Sequence, residues 1–296
     1  MIDLHTHSTA SDGQYSPTEL VEKAKNALVS VLALTDHDTV QGLEEAEAAA
    51  KNAGITFVRG VELNIAWTTG EFHLLGLGLK DIKSDLRAII KELSEARRNR
   101  NRKIVAKMQE AGIAVTLEEL ESLYPAKSLG RPHFADFLVK QKVVRHKQDA
   151  FDKYLAKGRP FYEAKEGADL DIAVNAIVDS GGVPVIAHPL SLYLSWSKIE
   201  PVLRDVHERG VAGLEAWHPG AREQDCKRLE AMAREIGFFI TAGSDFHGRG
   251  VRADRHLGET SGDRKIEDRF YFEELLPHLG DFDWRETEWC KSNHRS

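Results

Sequence analysis

The sequence predicts an α/β fold in which parallel strands close, or nearly close, into a (β/α) barrel, with a helical subdomain inserted after the fourth strand. Two observations predict the barrel: short β-branched or apolar runs recur along the chain, and amphipathic helical stretches separate them. A third predicts the insertion, because residues from about 81 to 165 show helical patterns and no good strand. The 296 residues, 42% hydrophobic and 29% charged, suit one large globular domain or a domain carrying an insertion, and can bury a full core.

In chain order, the first strand is expected at Ile2 to Leu4. Ser16-Pro17-Thr18-Glu19 follows as a capping box with proline at the first helical position. Further strands are expected at Val31 to Thr35, Phe57 to Val61, Phe72 to Leu77, Val183 to Ala187, Gly213 to Trp217 and Phe238 to Ala242. Seven strands in sequence suit a closed barrel better than an open sheet. Within the insertion a long helix is expected from about Asp85 to Glu110, a capping box at Thr116 to Glu119, and a further helix opening at Gly130-Arg131-Pro132. The domain boundaries expected are 1–80 with 166–275 for the barrel, 81–165 for an insertion that covers the substrate, and 276–296 for a polar tail containing Trp284 and Trp289. GRP occurs at Gly130 to Pro132 and again at Gly158 to Pro160, too little to make a repeat.

The net charge of -7 argues against a broad basic face for duplex nucleic acid, which binds by neutralising many phosphates. Cys226 and Cys290 lie far apart and are expected to be unpaired, in a reducing compartment. No run approaches the ~18 apolar residues of a membrane span, and the first strand begins at Ile2, so neither membrane anchorage nor a signal peptide is expected and the protein reads as cytoplasmic. The run Arg97, Arg98, Arg100, Arg102, Lys103 is most simply a solvated helix face; the sharper alternative is that it flanks the active-site mouth and draws in anions.

Histidines and carboxylates recur where strands end: His5 and His7 after the first, His37 after the second, Glu62 at the end of the third, His73 in the fourth, His188 after the fifth, Asp245 and His247 after the last. In a parallel barrel the strand C-termini open onto one face, so these distant residues are expected to converge. His5-Thr6-His7, extended, points two imidazoles to one side, as ligands of one metal require. Taken singly, His73 or His188 is an ordinary hydrogen-bonded histidine, and Asp12 and Asp38 are turn or cap residues. Taken together with Asp12, the nine donors are all nitrogen or oxygen, which suits zinc, manganese or iron, and they are too many for one ion. Two or three metal ions are expected, with Glu62 available as a bridge.

Asp3-Leu4-His5-Thr6-His7-Ser8, Thr35-Asp36-His37-Asp38-Thr39, Gly60-Val61-Glu62, Ala187-His188-Pro189 and Gly243-Ser244-Asp245-Phe246-His247 resemble, in order, the signatures of the polymerase and histidinol phosphatase (PHP) family. The resemblance spans nearly the whole chain. It implies a distorted (β/α)7 barrel with a trinuclear site: one metal on His5, His7, Glu62 and Asp245, a second on Asp12, His37 and His188, a third on Glu62, His73 and His247. Gly130-Arg131-Pro132-His133 in the insertion, with Gly158-Arg159-Pro160, is similar to the branch that contains 3',5'-nucleoside bisphosphate phosphatases and 5'-3' exoribonucleases.

Arg131 and His133 are then candidates for a substrate phosphate, Arg131 through a planar fork beside a helix N-terminus. The plain alternative is a helix start with a solvated arginine. His218, on the same predicted face, is a candidate to touch phosphate or protonate the leaving group, or to support a ligand. The reaction expected is hydrolysis of a nucleotide or short single-stranded RNA phosphate ester by a hydroxide bridging the metals, with no protein nucleophile. Rival readings are a histidinol phosphatase, which the GRPH insertion disfavours; amidohydrolase-type C–N or C–O hydrolysis, which Asp12 and the third ligand set disfavour; and a nonenzymatic metal-stabilised module of a polymerase-type assembly, which would have lost ligands. The oligomeric state is left open.

Overall fold

A computed structural model describes residues 1–124 and 126–280 of the chain. Seven strands, β1 (Ile2–Asp3), β2 (Val31–Leu34), β3 (Thr56–Ile65), β4 (Phe72–Leu77), β5 (Val183–Ile186), β6 (Gly213–Trp217) and β7 (Phe239–Ala242), form one sheet in chain order. Beyond the strand ends, the His7 N–H donates to the Phe246 carbonyl at 2.9 Å and the Asp245 N–H to the His5 carbonyl at 2.9 Å, joining the first strand to the last. The sheet is thereby a nearly closed barrel. Strands β2, β4, β5, β6 and β7 are buried along their whole length, as strands covered on both faces must be, which is why they read as continuous apolar runs.

Helices α1 (Pro17–Asn26) and α2 (Leu43–Ala53) follow β1 and β2. Between β4 and β5 come α3 (Ser84–Glu110), α4 (Leu117–Leu123), α5 (Arg131–Lys140), the short α6 (Lys147–Ala150) and α7 (Leu170–Asp179). Helices α8 (Trp196–Glu208) and α9 (Glu223–Ile236) precede β6 and β7. Ser16 and Glu19 close the capping box on α1, and the Thr116 hydroxyl caps α4 by accepting from the Glu119 N–H at 3.1 Å. Among the described residues, no helix is long and apolar enough to cross a membrane.

The expectation of an all-parallel sheet fails at β4, which runs antiparallel to both β3 and β5. Residues 66–71 are too few for the crossover that a parallel partner needs, so β3 turns back on itself as a hairpin. The pairing with β4 also carries β3 on to Ile65, so Glu62 lies inside the strand rather than at its end. The reversal has a consequence for the site. The start of β4, with His73 opposite Asn64, faces the same way as the C-terminal ends of its neighbours.

A separate apolar cluster lies in the helical segment, with Ile104, Met108, Leu120, Phe134, Phe137 and Phe161 at its centre, apart from the clusters that line the barrel. The basic run on α3 is not uniformly solvated: Arg97 and Arg100 turn inward and are buried, while Arg98, Arg102 and Lys103 face water. The two GRP tripeptides play different parts, the first opening α5 and the second making a turn at Gly158 with φ of 81°. Cys226 is buried and unpaired. The expectations for Trp284, Trp289, Cys290 and most of the 276–296 tail fall outside the described residues.

Candidate metal centre

The nine donors expected from the sequence meet at one end of the barrel. Glu62, fully buried, is at their centre. Its Oε2 lies 3.4 Å from His5 Nε2, 3.3 Å from His7 Nε2 and 2.8 Å from His37 Nδ1. Its Oε1 lies 2.7 Å from His73 Nδ1 and 3.1 Å from His188 Nε2. Asp245 Oδ1 stands 3.3 Å from His7 Nε2 and 3.7 Å from His5 Nε2, and Asp12 Oδ1 stands 3.3 Å from His247 Nε2.

These atoms gather into overlapping groups whose ligand atoms lie within 4.8 Å of one another: His7, Asp12, His37 and His247; His5, His7 and Asp245; His5, Glu62 and His188; His37, Glu62 and His73. The geometry groups these donors differently from the partition that the family resemblance implied. His188 sits with Glu62 and not with Asp12, and His247 sits with Asp12 and not with Glu62 and His73, so the two histidines exchange places. Sequence order could not separate them, because both follow strand ends on the same face.

His5 Nε2, both ring nitrogens of His7, Asp12 Oδ1, His37 Nδ1 and Glu62 Oε2 are buried and form no hydrogen bond among the described residues. Buried polar atoms are almost always partnered, so six such atoms within one cluster, the two His7 nitrogens turned to different sides of it, fit more than one divalent cation. Electrostatics agree. Burial would raise the Glu62 carboxyl, but His37, His73 and His5 outweigh it and hold the group well below the usual carboxylate range. Burial, with His247 and His37 nearby, pushes His7 well down, toward the neutral form that a metal requires.

Three acids that the sequence reading passed over support the donors. Glu215, on β6, accepts from His5 Nδ1 at 3.0 Å and from the His188 N–H at 2.8 Å, so it fixes the His5 tautomer with Nε2 facing the site. Asp3 accepts from the Ser244 N–H and hydroxyl and from the Gly258 N–H, tying β1 to the loop that carries Asp245. Asp36 accepts from the Ser8 N–H and hydroxyl and the Ser11 hydroxyl, and burial pushes its carboxyl up to about 6. The signal for the last two was present: each lies within a motif, two residues or one before a histidine donor. His188 (φ 28°), Asp38 (φ 52°) and Asp245 (φ 53°) hold backbone conformations that non-glycine residues rarely adopt, a strain that clusters at functional sites.

The candidate phosphate residues stand around this centre. Arg131 Nη1 pairs with Glu71 Oε1 at 3.0 Å, its guanidinium lies over the Tyr162 ring, and its Nε has no partner among the described residues. Lys165, missed in the sequence, pairs with Glu71 Oε2 at 3.1 Å and reaches His73 Nε2 at 3.4 Å. With Arg97 and Arg100 these make a cationic wall, and Arg97, Arg100 and Lys165 line a small cavity beside Asp38 and Asn64. His133 Nδ1 accepts from the Gly130 N–H at 3.0 Å, so its proton is on Nε2. His218 is set likewise: Nδ1 accepts from the Gly220 N–H at 3.0 Å, leaving Nε2–H to donate to Asp245 Oδ2 at 3.3 Å. Arg252 meets the same oxygen at 2.8 Å.

The sequence matches the PHP domain model over residues 3–161. The 3',5'-nucleoside bisphosphate phosphatase of Chromobacterium violaceum is 35% identical over 288 residues, which cover 97% of this chain and 96% of that one. The 5'-3' exoribonuclease of Haemophilus influenzae is 36% identical over 245 residues, 83% of this chain and 89% of that one. A solved structure from C. violaceum, described as an amidohydrolase with bound sulfate and no metal, aligns with a TM-score of 0.83 at 34% identity and covers 94% of this chain and 95% of that one.

Proposed function

The chain belongs to the PHP family, and on that premise we propose that it is a metal-dependent phosphoesterase that hydrolyses a phosphate ester of a nucleotide or a short single-stranded oligoribonucleotide. The observation that carries this reading is the cage of nine nitrogen and oxygen donors centred on one of them, Glu62, all buried but the half-buried His188, with a cationic wall beside it. The ligand atoms favour His5, His7 and Asp245 for one ion and Asp12, His37 and His247, with His7 beside them, for another, while Glu62 is shared between His5 and His188 on one side and His37 and His73 on the other. Manganese, iron and zinc all suit such donors. Divalent ions bound there supply activation of water for attack on phosphorus and offset the phosphate charge.

The remaining work belongs to side chains of this chain. Arg131 and Lys165 face the centre from the Glu71 side and can hold phosphate oxygens by charge-assisted hydrogen bonds. Burial destabilises the charge on Arg100, and Arg97 and Arg131 nearby add to this, a repulsion that a bound anion relieves. On the opposite flank the His218 Nε2–H donates to Asp245 Oδ2 and so positions that carboxylate; turned from it, the same N–H can meet a phosphate oxygen or the departing one without needing to be an imidazolium. His133, with the same tautomer, offers a second neutral donor. The insertion, about residues 81–165, covers the substrate and sets its size. The negative net charge and unpaired Cys226 suit a cytoplasmic enzyme without a duplex substrate.

Phosphate release from 3',5'-adenosine bisphosphate, from 5'-phosphorylated RNA trimers and from histidinol phosphate tests the proposal directly. Turnover of either of the first two, at least a hundredfold more efficient than of histidinol phosphate, is expected. Preference for histidinol phosphate would overturn the nucleotide reading.

A further inference from the structure

The helical segment between β4 and β5 contributes none of the nine donors, yet it touches the supports of one ligand group in particular. A Cβ at Gly130, the residue before α5, would stand 2.5 Å from Asp12 Oδ2, so only glycine lets α5 approach this closely. The Lys127 and Ser128 N–H groups donate to the Thr9 and Ser11 carbonyls at 2.8 and 3.0 Å, in the loop that carries Asp12. Arg97, on α3, grips Asp38 Oδ2 through Nη2 at 2.6 Å and Nε at 3.2 Å, both residues buried, and Asp38 directly follows His37. The Ser94 hydroxyl donates to the Asp38 carbonyl at 3.3 Å, and the Asp38 backbone is strained with φ of 52°. Lys147, on α6, donates to the Gly250 carbonyl at 2.6 Å, three residues after His247.

Asp12, His37 and His247 thus each lie on a backbone segment held by the insertion. The other six donors are supported chiefly by the barrel, through Glu215, Asp3 and the strand pairing. Of these, His73 meets Lys165 and lies two residues from Glu71, which pairs with Arg131 and Lys165, and Glu62 lies two residues from Asn64, which bonds Glu166 and Ala168. Among the described residues, neither Gly130 nor Arg97 hydrogen-bonds to these stretches. We propose that the insertion is a clamp for the metal position formed by Asp12, His37 and His247, so that Gly130 and Arg97 are positioning residues for that ion and not for the others. The clamp rests on the metal reading above. Because linkage is reciprocal, an ion held there also tightens the cover that approaches the substrate.

The test is manganese binding to the full chain, by equilibrium dialysis with elemental analysis over a range of free metal. It compares wild type, Asp12→Asn, Gly130→Ala, Arg97→Lys and Lys147→Met. Gly130→Ala and Arg97→Lys should weaken the one class of ion that Asp12→Asn weakens, by roughly 10–100-fold, the usual effect of an outer-shell partner, and leave the remaining ions within about twofold. Lys147→Met, farther from its ligand, should weaken the same class less. Retention of the remaining ions shows that each variant is folded, and Gly130→Ala stands in should Arg97→Lys misfold. Amide exchange in α5 should quicken when this ion alone is lost. If the variants keep the ion that Asp12→Asn loses, or lose all ions equally, the clamp is wrong. If Asp12→Asn loses none, that position holds no ion and the clamp also falls. A wild-type chain that binds no manganese would instead remove the metal reading itself.

Discussion

Arg131 and Glu215 separate the two kinds of residue that surround the donors. Arg131 stands beside the cage on the Glu71 side and, among the described residues, keeps one unpartnered nitrogen, so Arg131→Ala should lose roughly 1.5–3 kcal/mol of transition-state binding on a 3',5'-bisphosphate, about ten- to a hundredfold in kcat/KM. Metal content should hold, and Arg131→Lys should recover only part, because an ammonium cannot reproduce the planar fork. Steady-state kinetics with elemental analysis of the same preparations checks this. Glu215 behaves in the opposite way. Its two oxygens accept from His5 and from the His188 amide, and a Gln amide can accept on one side only, so Glu215→Gln should weaken metal binding roughly 10–100-fold, read by metal titration. Seven of the nine donors were legible because each sits in a short motif beside or within a strand; Asp12 and His73 were read by their company alone. Glu215 was not, since a glutamate inside an apolar run reads as a residue on an exposed strand face, and only the buried barrel interior turns it toward His5.

Elements were read from local pattern, and they fail where a partner strand decides. The run Phe72 to Leu77 gave its own limits, and the Ser16 capping box gave the start of α1. The direction of β4 lies in no residue of β4; it follows from the shortness of residues 66–71, which rules out a crossover. The inward turn of Arg97 is similar: a basic run on a helix is normally solvated, and it took Asp38, 59 residues away in sequence, to bury one member. Ser16→Ala should cost about 1 kcal/mol of stability, because the Ser16 hydroxyl accepts from the Glu19 N–H and the Glu19 carboxylate returns to the Ser16 N–H. Denaturant unfolding reads that loss, and kcat/KM should not move, since α1 carries no donor.

On the scale of the whole molecule, the separate apolar cluster of the helical segment predicts unequal stability. Phe137 is fully buried there, so Phe137→Ala should cost roughly 3–5 kcal/mol locally. Hydrogen exchange should show the helices around Phe137 opening before the barrel strands do. Metal should act on both units if the clamp holds: each ion bound only by the folded chain adds about 2.7 kcal/mol at a free concentration of 100 times its dissociation constant. Tm should therefore rise with manganese concentration and fall on chelation. The central claim, that a multinuclear metal cage around Glu62 performs phosphate-ester hydrolysis, is tested most directly by one paired measurement. Ions per chain and phosphate release from 3',5'-adenosine bisphosphate are followed together through chelation and stepwise return of manganese. The account predicts that turnover disappears with the ions and returns only as the second or third ion per chain is restored. Turnover that persists in chelated, metal-free protein, or that fails to return with two or three ions bound, would contradict it.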